Sequence, residues 1–187
     1  MIQNGISNIV AQNPCIPVVT FKHTDEVKPV LDILAQQKIN CIEITLRTDV
    51  AEAAIRLCQS LAPEHFKVGV GTIIDAQQVE LCQKLAVDFM VSPGSSPFIV
   101  DCMQQSDIAF LPGVMTPSEI IRAHSANCQY LKLFPFNIAG GIKAIKSYAK
   151  VFPSIQFCPT GGVDKANYQS LLALDNVVCV GGSWLIK

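Results

Sequence analysis

Charge is scarce in this chain. Only 16% of its 187 residues are charged, and 14 basic against 15 acidic side chains leave a formal net charge of −1. So balanced a composition gives no electrostatic footprint for nucleic acid or an anionic membrane as the main partner. Long apolar runs are also missing. None approaches the roughly 20 residues that cross a bilayer, and no basic leader precedes an apolar stretch, the first positive side chain being Lys22. A soluble, cytoplasmic protein is expected. Histidine is sparse, with His23, His65 and His124 scattered and building no recognisable ligand set. The eight cysteines contain no C-x-x-C pair. Cys41, Cys158 and Cys179 fall in strand patterns and Cys58, Cys82 and Cys102 in helical ones, so they read as small buried hydrophobes. Neither a metal nor a cofactor is expected.

What is present is a core. Half the residues are hydrophobic, which suits one compact domain over residues 1–187 and argues against disorder. Short apolar runs recur at Ile16–Phe21, Cys41–Thr45, Lys67–Gly71, Phe89–Val91, Ala109–Leu111, Gln129–Phe134, Ile155–Cys158 and Val177–Val180, their starts roughly 20–26 residues apart. Helix-period segments lie between them. Val27, Val30, Leu31 and Leu34 follow Asp25 and Glu26; Ala53, Ala54, Leu57, Cys58 and Leu61 follow Asp49, a candidate cap. Ile6, Ile9 and Val10 suggest a short leading helix at about residues 1–13. Strict alternation predicts an α/β protein, a (β/α)₈ TIM barrel with eight parallel strands. The chain stops at Leu185-Ile186-Lys187, just after the last predicted strand, so the eighth outer helix is missing. A truncated chain is the expectation, with a subunit contact as the alternative cover for the outer faces of the first and last strands.

The run Tyr130-Leu131-Lys132-Leu133-Phe134 sets a lysine inside an apolar strand. Alternation puts Tyr130, Lys132 and Phe134 on one face and Leu131 and Leu133 on the other. Lysine is rarely fully buried, and a chemical reason to bury one is to obtain a neutral, nucleophilic amine. A lysine snorkelling at a strand end is the bland alternative. In Cys41-Ile42-Glu43-Ile44-Thr45-Leu46-Arg47-Thr48, the residues Glu43, Thr45 and Arg47 share a face. If both strands belong to a helix-covered barrel, an amine, a carboxylate and a guanidinium meet in its interior. Gly, Pro and hydroxyl residues follow the strands (Gly71-Thr72, Ser92-Pro93-Gly94, Pro112-Gly113, Pro159-Thr160-Gly161-Gly162, Gly181-Gly182-Ser183), crowding the C-terminal rim where barrel enzymes build sites. For Pro93, Gly94, Pro112 and Gly113 plain turn chemistry explains as much. The last two glycine pairs are placed to expose backbone N–H groups to phosphate.

Together these motifs, with Gly69-Val70-Gly71-Thr72, Phe157-Cys158-Pro159-Thr160-Gly161-Gly162 and Gly181-Gly182-Ser183-Trp184, resemble the 2-keto-3-deoxy-6-phosphogluconate (KDPG)/4-hydroxy-2-oxoglutarate (KHG) aldolase family from about Ile16 onward. The resemblance implies a metal-free class I lyase, a homotrimer of the Entner–Doudoroff route. It would cleave the phosphorylated keto-acid to pyruvate and glyceraldehyde 3-phosphate, and many members also cleave 4-hydroxy-2-oxoglutarate to pyruvate and glyoxylate. It implies Lys132 as the Schiff-base lysine and Glu43 as general acid/base. Arg47 and Thr72 would hold the pyruvate carboxylate, and Phe134 would wall the site. Thr160 would face the hydroxylated middle of the substrate, and Gly161, Gly162, Gly182 and Ser183 the phosphate. Pro93 joins the candidate binding residues. The rival readings are a phosphosugar epimerase or isomerase, a metal-dependent pyruvate aldolase, and a non-catalytic phosphate-ligand binding protein.

Overall fold

The structure, a computed structural model, describes residues 2–186. A 3₁₀ turn at Ile2–Gly5 leads into α1 (Ile6–Gln12), and strands and helices then alternate: β1 (Cys15–Val19), α2 (Val27–Gln36), β2 (Cys41–Thr45), α3 (Ala51–Leu61), β3 (Lys67–Gly71), α4 (Ala76–Lys84), β4 (Phe89–Val91), α5 (Pro97–Gln105) and β5 (Ala109–Leu111). After β6 (Gly113–Val114) come α6 (Pro117–Ser125), β7 (Tyr130–Leu133), α7 (Gly141–Val151), β8 (Gln156–Pro159), α8 (Tyr168–Leu172) and β9 (Val180–Gly182). Helix starts are chemically marked. Asp75 and Ser96 each accept a backbone N–H at the head of α4 and α5, and Thr116 with Glu119 closes a capping box on α6. The expected cap Asp49 does not serve; α3 begins after Val50 with no side-chain cap.

A closed barrel of eight strands does not form. All pairings are parallel, but they make two sheets: β5-β4-β3-β2-β1-β9, and a three-stranded β6-β7-β8. Two physical causes separate them. Pro112 follows the predicted fifth strand directly and splits β5 from the unpredicted β6, because proline has no N–H to give a ladder. On the other side, the chain leaves β8 through Gly161 and Gly162, both at positive φ, and this strand and the residue after it meet β9 and its lead-in through isolated bridges, Phe157 with Val177 and Thr160 with Gly181. The last strand also lies later than predicted, pairing Val180, Gly181 and Gly182 with Cys15, Ile16 and Pro17.

Period-2 alternation sorts the side chains. Ile42, Ile44, Leu131, Leu133 and Phe157 pack outward against the helices, while Cys41, Phe89, Val91, Leu111, Cys158 and Cys179 fill the interior floor with Ile6 and Val10 of α1. Gln3 ties this floor down. Its amide donates to the carbonyls of Phe110 and Tyr130, and its oxygen accepts the N–H groups of Gln129 and Tyr130. The outer face of β1 and β9 is partly covered by the turn Trp184–Ile186. Trp184 lies on Tyr168 with ring centroids 5.9 Å apart, and Gln37 donates to the Leu185 carbonyl at 2.8 Å. A groove of about 640 Å³ runs beside it, lined by residues including Asn13, Gln37, Tyr168 and Trp184, and it shares no residue with the cleft described next.

Candidate active site

Glu43 and Lys132 meet across the two sheets. Lys132 Nζ donates to Glu43 Oε1 at 3.0 Å and to Oε2 at 3.4 Å, with side chains only 5% and 4% exposed. Neither partner tolerates burial alone, since an unpaired interior charge is strongly destabilising. The pairing is therefore what lets β2 and β7 carry these residues inward. Room for the carboxylate comes from Gly71 on β3, where a Cβ would collide with Glu43 Oε1. Lys132 Nζ also lies 5.3 Å from the Phe134 ring centroid, close enough for a cation–π contact.

Above the pair opens a cleft of about 400 Å³, where Arg47, Lys132 and Phe134 face Thr160 and the glycine loops. It brings together eight of the predicted residues: Arg47, Lys132, Phe134, Thr160, Gly161, Gly162, Gly182 and Ser183. Glu43 sits behind Lys132. Thr72 joins through Arg47, whose Nε donates to Thr72 Oγ1 at 3.0 Å. Thr72 holds φ +70, a region that a β-branched residue occupies at a cost of about 1–3 kcal/mol, and such strain clusters at functional sites. Pro93 is not among the lining residues; its backbone instead abuts Gly113, where a Cβ would strike the Pro93 carbonyl, and Gly113 pairs with Lys132. Gly161 and Gly162 hold consecutive positive φ values of 87° and 85°, a backbone that glycine adopts without the cost a side chain would bring. Thr160 Oγ1 is 3.8 Å from Cys158 Sγ, which orients the hydroxyl within the wall.

Sequence reasoning missed Val18, Thr20, Val163 and Ile186, which also line the cleft, and Gly71. The available signal was alternation along β1: Val18 pairs with Glu43, so Val18 and Thr20 share its inward face. Among the described residues no group of three or more His, Cys, Asp or Glu is placed to hold a metal ion. The site is net cationic apart from Glu43, which suits an anionic, carboxylate-bearing ligand.

The family model for KDPG and KHG aldolase matches residues 6–187. The chain belongs to the KDPG/KHG aldolase family. Among this family, the 2-dehydro-3-deoxy-phosphogluconate aldolase of Pseudomonas aeruginosa is 36% identical over 181 residues, covering 97% of this chain and 82% of that protein. The KHG/KDPG aldolase of Escherichia coli is 35% identical over 184 residues, 98% of this chain and 86% of the relative. The crystal structure of KDPG aldolase from Legionella pneumophila, with pyruvate captured at low pH as a covalent carbinolamine intermediate, superposes with a TM-score of 0.91 at 36% identity over 95% of this chain and 86% of that one. The Zymomonas mobilis aldolase structure with 3-phosphoglycerate gives 0.92 at 31% identity, covering 97% and 86%.

Proposed function

We propose that this chain is a class I aldolase that cleaves 2-dehydro-3-deoxy-6-phosphogluconate to pyruvate and glyceraldehyde 3-phosphate, with 4-hydroxy-2-oxoglutarate as a second substrate. The observation that carries this reading is the buried Lys132–Glu43 contact at the bottom of the cleft. The family relatives carry the substrate class. The proton that the Lys132 ammonium must lose has an acceptor 3.0 Å away. The freed amine adds to the C2 ketone to give a carbinolamine. Loss of water, with Glu43 supplying the proton, leaves a cationic imine. Glu43, acting directly or through water, then removes the C4 hydroxyl proton. The C3–C4 bond breaks, its electron pair flows into the imine as an enamine, and the aldehyde departs. Protonation at C3 and hydrolysis release pyruvate and restore Lys132.

Arg47, held by Thr72, grips the substrate carboxylate with its planar fork. Phe134 excludes water from one side, Thr160 meets the hydroxylated middle, and the backbone of Gly161, Gly162, Gly182 and Ser183 receives the phosphate. Pro93 acts at one remove, by buttressing Gly113 beside Lys132. The enzyme works in the cytoplasm as a homotrimer, the assembly the family resemblance implies; sedimentation showing only monomer would remove that part. Among the described residues no helix is long and apolar enough to cross a membrane.

Borohydride trapping with pyruvate, read by intact mass and peptide mapping, tests the chemistry. One reduced pyruvate on Lys132 is expected. No adduct in folded protein would leave an electrostatic lysine and bring the epimerase reading forward.

A further inference from the structure

Thr45 is completely buried on β2, on the inward face it shares with Glu43. Its hydroxyl lies 2.7 Å from that of Thr20, which lines the cleft just past the end of β1. A hydroxyl has one proton to give, and a buried donor without an acceptor is destabilising. Among the described residues Thr20 is the side-chain partner of Thr45. The economical arrangement therefore has Thr45 donating to Thr20. That leaves the Thr20 proton aimed at whatever fills the cleft, and the bond it accepts makes it a stronger donor.

The position of β1 says which part of a ligand this donor meets. In the six-stranded sheet β1 lies between β2, whose end carries Arg47, and β9, whose end carries Gly182 and Ser183. The keto-acid end of a substrate is held at Arg47 and Lys132, and its far end lies by the glycine loops. Thr20 stands between the two. We infer that Thr20, oriented by Thr45, is a specificity residue that hydrogen-bonds an oxygen of the aldehyde half of the substrate; this rests on the aldolase reading above. Thr160 approaches the same half from β8, so the departing aldehyde is held from two sides.

The test compares wild type, Thr20→Val, Thr20→Ser and Thr45→Val by kcat/KM for 2-dehydro-3-deoxy-6-phosphogluconate and by the rate of borohydride trapping with pyruvate alone. Valine keeps the shape and removes the hydroxyl. Thr20→Val should lose roughly three- to tenfold in kcat/KM, the worth of one net hydrogen bond, and Thr20→Ser should recover most of it. Thr45→Val should move in the same direction by less. Pyruvate trapping should not change in any variant, because pyruvate has no aldehyde half. Unchanged cleavage by Thr20→Val, or an equal loss in pyruvate trapping, would overturn the inference. Wild-type protein that neither cleaves nor traps would defeat the aldolase reading itself, so the two failures are separable.

Discussion

The interior of this molecule has a floor and a ceiling built from the same strands, and they differ in every chemical respect. On β2 the floor residue is Cys41 and the ceiling residue, two positions on, is Glu43; on β7 they are Tyr130 and Lys132; on the β8 side, Cys158 and Thr160. The floor is closed by Ile6 and Val10 of α1 and packed with thiols and aromatic or aliphatic groups. Burial there pushes the Cys41 thiol up to about 12, with Cys15, Cys158 and Glu43 adding to the rise. Burial likewise pushes Cys179 well above its ordinary value, Cys158 contributing. A thiol held so far from its thiolate is inert. The ceiling is nearly as dry, yet holds an ammonium and a carboxylate because each neutralises the other. Burial alone silences a titratable group, whereas burial with a partner and an opening to a cleft prepares it for chemistry.

The comparison breaks most completely at Lys132. Lys132→Met keeps an apolar stem and removes the amine; cleavage and borohydride trapping should both vanish, and a wild-type-like rate would sink the mechanism. Glu43→Gln comes next. It preserves a hydrogen-bonding side chain but not the base, so imine should still form slowly while turnover loses most of the roughly 10²–10⁴-fold general acid/base contribution. An unchanged rate would make Glu43 structural.

The thiols give a pH signature of opposite character. Burial pushes Cys41, Cys58, Cys82 and Cys128 each up to about 12, from an ordinary value near 9. Above about pH 9 the unfolded chain therefore binds fewer protons than the folded one, and stability falls as pH rises toward about 12. The loss should reach about 1 kcal/mol per thiol per pH unit, seen as a falling thermal midpoint. A flat midpoint would show that these thiols are not held away from water. Gly71→Ala sharpens the contrast with the smallest change. The new methyl collides with Glu43, so about 1–3 kcal/mol of stability and part of the turnover should go. Gly94→Ala, with nothing within 4 Å of the added Cβ, should leave both unchanged.

Much of this was legible in the sequence because alternation is local. β2, β3, β4 and β5 span the residues their apolar runs predicted, and the inward faces of Glu43 and Lys132 followed from period 2. The two-sheet architecture was not legible, because a regular spacing of strands says nothing about whether Pro112 lets one ladder continue into the next. Gln3 was equally silent, its four bonds reaching residues more than a hundred positions away. Neither the room Gly71 makes for Glu43 nor the left-handed backbone of Thr72 has a local signature, since each is imposed by a neighbouring strand.

By itself the sequence determined where most strands and helices form, which faces of β2 and β7 turn inward and, through its ordered motifs, the family. Those properties depend on backbone stereochemistry and hydrophobic pattern over a few residues. Only the tertiary structure decided that Lys132 and Glu43 lie 3.0 Å apart, that Thr45 stands behind Thr20, and that the strands divide between two sheets. These are distances between side chains far apart in the chain. They are set by packing and by where each strand finds a hydrogen-bonding partner.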